Sequence, residues 1–129
     1  CHPKSTSKSY LDIEGTWKMI SAETIENDSL KLKDVSNTTF IKIINKSHFS
    51  FFNQHKTGKE NFYSGAGTYH LKGNKYTETL EFTTVNEIRN HQFSFQLEIK
   101  GDTLIQSGIE KVEAAKINRE IVEKYIKLN

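Results

Sequence analysis

An unbroken alternation of polar and apolar residues at positions 92–100 (QFSFQLEIK) constrains the fold more than any other feature of the chain. Its apolar members are Phe93, Phe95, Leu97 and Ile99. Successive side chains of a β-strand point to opposite faces, whereas the side chains of a helix repeat about every 3.6 residues. The period of two therefore predicts a half-buried strand with these four side chains on its inner face.

The same period recurs along the chain, and short turns connect most of the segments that carry it. Gly73-Asn74 and Gly101-Asp102 are typical of tight hairpin turns. Together these signals predict eight strands, at residues 16–23, 38–44, 48–53, 62–71, 76–82, 92–100, 103–108 and 119–128. The connections at 24–37 and 110–118 are longer, and residues 110–116 favour either one or two helical turns or a charged loop.

Eight strands in one short chain need a way to protect the two edges of their sheet. With 129 residues, of which 35% are hydrophobic, the chain suits one domain with a small core. An up-and-down barrel closes the edges economically, although an eight-stranded sandwich would give the same strand signals. We predict an all-β fold, an eight-stranded antiparallel up-and-down barrel at residues 11–129 with at most a short helix.

Charge and motif content argue against several function classes. The net charge of +2 comes without a sustained basic stretch, so nucleic acid is not expected as a partner. Cys1 is the single cysteine, which leaves no pair for an intramolecular disulfide and no set for a thiolate zinc site. The histidine spacings and motifs typical of metal sites and enzymes do not occur, so we expect no metal, no cofactor and no catalytic residues.

A polar segment of mostly small residues at positions 2–9 follows Cys1. This composition is typical of a tether and not of a core. A cysteine ahead of such a leader resembles the start of a mature bacterial lipoprotein, with lipid attached to the cysteine sulfur. We expect residues 1–10 to be a flexible tether lipidated at Cys1, and the protein to be exported and membrane-anchored in the bacterial cell envelope, on the periplasmic or outer-membrane face. The alternative is that Cys1 stands at the first position by chance and carries no lipid.

Gly15-Thr16-Trp17 forms a Gly-x-Trp motif at the start of the first predicted strand. The further matching segments are His48-Phe49 and residues 64–69, 73–82 and 101–108. In this order the segments resemble the small bacterial lipocalin-like domain family over residues 11–128. The resemblance implies a calycin-like barrel closed at one end by Trp17, an envelope location that is often lipid-anchored, and an unsettled function. It also implies a cation over the Trp17 ring, for which Lys127 and Arg119 are the candidates.

The two faces of each predicted strand indicate which residues lie inside the barrel. At 76–82 the inward face carries Tyr76, Glu78, Leu80 and Phe82, and in the last strand the family pattern favours the face with Glu123. We predict a ligand-binding lumen formed by Trp17, Tyr76, Glu78, Phe93, Phe95, Leu97, Glu123, Tyr125 and Lys127. The polar members of this set either satisfy one another and fix strand register or orient the head group of a ligand.

These observations favour a non-enzymatic envelope lipoprotein that binds a small hydrophobic or amphipathic ligand in its barrel. The alternative is a barrel filled by its own side chains, acting through the loops at 24–37 and 83–91 as a protein-binding or inhibitor module. The two hypotheses differ in the interior of the barrel. A continuous cavity of a few hundred Å³ supports the first, whereas rings that meet across the axis support the second.

Overall fold

The computed structural model of the protein describes residues 11–58 and 62–128, in which antiparallel strands follow one another around a closed barrel. In chain order the strands are β1 (Gly15–Glu26), β2 (Ser29–Leu32), β3 (Thr38–Ile44), β4 (His48–His55), β5 (Tyr63–Lys72), β6 (Lys75–Phe82), β7 (His91–Lys100), β8 (Thr103–Val112) and β9 (Ile117–Lys127). Strands β3 to β9 pair successively, and β1 pairs with both β3 and β9. The resulting eight-stranded barrel confirms the predicted fold class, excludes the sandwich and fits a lipocalin-like fold.

Strand β2 is an addition that the sequence analysis missed. It pairs only with the second half of β1, next to the eight barrel strands. The turn between them is Asn27-Asp28, and both residues have positive φ, 53° and 62°. Two-residue hairpin turns of the type I′ class need this conformation at both positions, and Asn and Asp tolerate it better than most residues. The first long connection is therefore partly a hairpin.

The second long connection is shorter than expected because both flanking strands extend into it. β8 continues to Val112, and β9 begins at Ile117. Between them lies a single 3-10 turn at Glu113–Ala115, which ends at Lys116 in the left-handed conformation, with φ of 57°. A second 3-10 turn, Asn86–Ile88, lies between β6 and β7.

Trp17 closes one end of the barrel. Its side chain is buried, and the indole Nε1 donates a hydrogen bond of 2.9 Å to the Ile13 carbonyl. The ammonium of Lys127 lies 5.7 Å from the centroid of the Trp17 ring, within the range of a cation–π interaction. Arg119, the other candidate for this position, forms an ion pair with Glu110 instead. This end of the barrel is a packed core.

The inward faces follow the predicted alternation, with one exception. In β7, Phe93, Phe95 and Leu97 are all buried. In β6 the prediction was wrong for Phe82, which is 62% exposed. The β5–β6 ladder slips between Ala66 and Gly67, where an irregularity interrupts the pairing. Because of this bulge, Phe82 at the end of β6 no longer follows the inward register.

Candidate functional site

A cavity of about 460 Å³ occupies the part of the barrel away from Trp17. Its apolar walls include Met19, Phe40, Phe51, Leu80, Phe93 and Ile121. Its polar interior includes Lys42, Glu78, Gln106, Glu123 and Tyr125. The exposed residues Thr84 and Val85, in the connection between β6 and β7, also line the cavity and bring it to the surface. The barrel is therefore packed at one end and hollow at the other.

Lys42 lies at the centre of the polar interior. The residue is 3% exposed, and its ammonium donates a hydrogen bond of 2.9 Å to the Gln106 side-chain oxygen. The Glu78 carboxylate forms a salt bridge with it at 3.5 Å. The ammonium also lies 4.9 Å from the ring centroid of Tyr76 and 5.8 Å from that of Tyr125. An acceptor, a counter-ion and aromatic faces together compensate the desolvation of this buried cation.

Glu123 is the second carboxylate of the interior and has a different environment. Its Oε1 accepts a hydrogen bond of 2.7 Å from the Tyr125 hydroxyl. In the described part of the chain, no lysine or arginine forms a salt bridge with Glu123. Burial raises the pKa of Glu123 to about 7, against the opposing effects of the Lys42 charge and the Tyr125 hydrogen bond. The carboxyl is thus close to half-ionised at neutral pH.

Tyr76 and Tyr125, the two tyrosines whose rings lie near the Lys42 ammonium, stay protonated. Burial, followed by the charge of Glu78, raises the pKa of Tyr76 well above its ordinary value. Burial, followed by the charge of Glu123, does the same to the pKa of Tyr125. The Tyr76 hydroxyl has no hydrogen bond of good geometry among the described residues. Both phenols are therefore hydrogen-bond donors at any physiological pH.

The mouth of the cavity carries two further cations. Arg119 donates from Nε to Glu110 at 2.7 Å, and the two residues face each other across β9 and β8. Lys33, which follows β2, donates to the Tyr63 hydroxyl at 3.3 Å and lies 5.6 Å from the centroid of that ring. The Arg119 charge is therefore neutralised locally, while Lys33 remains partly exposed to solvent at the rim.

The structure divides the predicted lumen residues between the cavity and the packed end. Those that line the cavity are Glu78, Phe93, Glu123 and Tyr125. Those outside its lining are Trp17, Tyr76, Phe95, Leu97 and Lys127. Ligand contact by any of them stays a prediction, and so does lipid attachment at Cys1, which lies outside the described residues.

Lys42 and Gln106 belong to the site, and sequence reasoning missed both. In β3 the two faces are almost equally apolar, since Phe40 and Ile44 flank Lys42 while Ile41 and Ile43 lie on the other face. The alternation therefore could not assign the lysine to either side. Glu78 was the signal for a buried cation, because a buried ionised carboxylate is costly without a partner. The predicted lumen set offered Lys127 for that place, but Lys127 lies over Trp17 and Lys42 meets Glu78.

Comparison with known proteins adds a family but no activity. A family model described as a domain of unknown function (DUF4488) matches residues 12–129. No curated protein matches the chain. Among the described residues, no helix is long and apolar enough to cross a membrane, and no group of three or more His, Cys, Asp or Glu side chains is arranged to hold a metal ion.

Proposed function

The chain belongs to the DUF4488 family, a domain of unknown function, and we propose that its barrel binds a small, partly apolar ligand without transforming it. The observation that carries the proposal is the cavity of about 460 Å³, open at one end of a barrel whose other end is packed. This volume lies within the usual range of small-molecule sites, about 300–1,000 Å³. A barrel that served only as a scaffold would have no need for such a void.

The lining of the cavity supports the same proposal. Rings and aliphatic side chains such as Phe40, Phe93 and Ile121 form most of the wall, and the polar groups are concentrated around Lys42 and Glu123. Ligand sites commonly combine an apolar wall with a few convergent polar groups that fix orientation. The alternative hypothesis of a self-filled barrel required rings that meet across the axis, and the cavity argues against it.

Filling the cavity should weaken binding strongly without unfolding the barrel. Ala22 lines the cavity on β1, so Ala22→Phe places a ring in the space that a ligand would occupy. We expect this variant to bind prodan, a neutral naphthalene dye whose emission reports apolar surroundings, at least about tenfold more weakly than the wild type. Fluorescence titration measures the affinity, and native mass spectrometry of protein from its own host identifies a bound compound.

The matched control is Gln96→Phe, which adds the same ring to an exposed position on the outer face of β7. Its affinity for prodan should equal that of the wild type. If prodan binds the wild type and Ala22→Phe equally well, the dye occupies another surface and the proposed cavity site is wrong.

The cellular location and the anchor at Cys1 are part of the same proposal, and the composition of residues 1–10 together with the resemblance to the small bacterial lipocalin-like domain family supports them. A lipidated cysteine would hold the barrel at the envelope membrane. We expect the protein in its own host to fractionate with membranes, and the Cys1→Ala variant of the precursor to be lost from that fraction. Equal partitioning of the two forms would contradict the anchor and leave the binding proposal intact.

A further inference from the structure

We propose that the cavity selects ligands that carry a protonated amine, whose ammonium group pairs with the Glu123 carboxylate while an apolar body lies against the aromatic wall. This inference rests on the proposed function, because it names the ligand class of the same cavity. It is carried by the charge pairing inside the barrel and by the open space beside Glu123.

Charge pairing leaves one carboxylate of the interior without a cation. The charged side chains that line the cavity are Lys33, Lys42, Glu78, Glu110, Arg119 and Glu123. Lys42 pairs with Glu78, and Arg119 pairs with Glu110. Lys33 at the rim donates to the Tyr63 hydroxyl and is partly exposed to solvent. When Glu123 is ionised, the deep part of the cavity therefore holds a net negative charge that a ligand cation would neutralise.

The position of Glu123 leaves room for such a cation. Its neighbours across the strand pairs are Ala22 on β1 and Gln106 on β8, and Ala22 is small. Tyr125 donates to Oε1, and no hydrogen bond to Oε2 is found among the described residues. An ammonium group has three donors to offer, so it would satisfy the remaining acceptor capacity of the carboxylate.

The aromatic wall is suited to a cation as well. Tyr125 of this wall already faces one cation, since its ring centroid lies 5.8 Å from the Lys42 ammonium, which also lies 4.9 Å from the ring centroid of Tyr76 and 5.7 Å from that of Phe49, both outside the cavity lining. Phe40 and Phe93, which line the cavity, provide further rings for the body of the ligand. An anionic ligand would gain less electrostatic stabilisation in the cavity, because the buried Lys42 is already engaged by Glu78 and Gln106. A second negative charge beside Glu123 would add repulsion in a site of low dielectric.

Binding of an amine should depend on pH through Glu123. The charged and titratable groups that act on this carboxyl are Lys42 from β3, Tyr76 and Glu78 from β6, Glu110 from β8 and Tyr125 from β9. Their combined effect, with burial, leaves the pKa of Glu123 at about 7. Only the ionised carboxylate pairs with an ammonium, so affinity should rise as the pH increases through 7. A primary amine stays protonated over this range, because its pKa is near that of lysine, about 10.

Three naphthalene compounds that differ only at the head group test the inference by displacement of prodan. They are 2-(1-naphthyl)ethylamine, 2-(1-naphthyl)ethanol and the carboxylate 1-naphthaleneacetate. At pH 8 we expect the wild type to bind the amine at least about tenfold more tightly than the alcohol, and the carboxylate most weakly. Between pH 8 and pH 5 the affinity for the amine should fall by up to about 100-fold, since each unit below the pKa removes a factor of ten. The affinity for the alcohol should change little.

Glu123→Gln should remove both the preference for the amine and its pH dependence, while prodan still binds. The control is Glu120→Gln, the same change at an exposed position of β9, which should behave as the wild type. Equal binding of amine and alcohol by the wild type, tighter binding of the carboxylate, or a preference that survives Glu123→Gln would each overturn the inference and leave the cavity site standing. If neither prodan nor any naphthalene compound binds the wild type, the proposed function itself fails.

Discussion

Replacing Lys42 with methionine should lower the free energy of unfolding at pH 8 by about 3–5 kcal/mol, the usual cost of leaving a buried charge without its partner. Lys42 is 3% exposed, and its ammonium lies 3.5 Å from the Glu78 carboxylate. Methionine keeps most of the side-chain volume, so the loss would come from the unpaired Glu78 and not from an empty space. Urea unfolding followed by the fluorescence of Trp17, the single tryptophan, measures the difference.

One comparison separates the charge effect from packing. The double variant Lys42→Met, Glu78→Gln should regain most of the lost stability at pH 8, because the unpaired charge is gone.

The control for this prediction is Lys124→Met, which makes the same change at an exposed position of β9. Its free energy of unfolding should stay within about 0.5 kcal/mol of the wild-type value. A deficit of Lys42→Met that persists in the double variant would mean that Lys42 stabilises the barrel through packing against its rings and not through Glu78.

The rescue by the double variant bears on why the barrel contains charges at all. A buried ion pair seldom stabilises a fold more than well-packed apolar residues of the same volume, so the Lys42–Glu78 pair is weak evidence for a role in stability. If an uncharged pair is nearly as stable, the charges serve another purpose. Their place beside the cavity and next to Glu123 is consistent with the proposed recognition of a polar head group.

Much of the fold could be predicted because its signals are local. The alternation in β7 and the glycine turns at Gly73 and Gly101 depend on neighbouring residues, and both glycines have the positive φ that such turns use, 62° and 61°. β2 escaped prediction because its four residues are all exposed, so no buried face enforces a pattern. Phe82 was misplaced because the bulge at Gly67 depends on how two strands meet and not on one segment.

The site was predicted less completely for a related reason. Alternation indicates which side chains point inward but not how far each lies along the barrel axis. Phe93 and Leu97 share one face of β7, yet Phe93 lines the cavity while Leu97 packs in the closed end. Depth depends on the tilt and stagger of all eight strands, which no single segment encodes. The sequence therefore indicated an inward carboxylate at Glu78 but not the lysine that meets it.

Gly67→Ala should destabilise the barrel by about 3 kcal/mol or more, because the added methyl group has no space. A Cβ atom at this position would lie 1.8 Å from the Thr79 carbonyl oxygen and 3.0 Å from the Glu81 amide nitrogen, both of them backbone atoms of β6. That backbone cannot easily retreat, because its other edge is paired with β7, with Leu80 opposite His91. The substitution must therefore separate β5 from β6 at the bulge and weaken their hydrogen bonds. Thermal and urea unfolding measure the loss.

Gly101→Ala provides the comparison that isolates this steric effect from backbone strain. Gly101 has a φ of 61°, and a Cβ atom there would meet nothing within 4 Å. Its cost should be limited to the left-handed backbone conformation, about 1–2 kcal/mol. If the two variants lose equal stability, the contact between β5 and β6 at Gly67 yields more easily than its backbone pairing suggests. A clearly larger loss for Gly67→Ala means that a closed barrel, with no free edge to absorb the displacement, depends on this glycine.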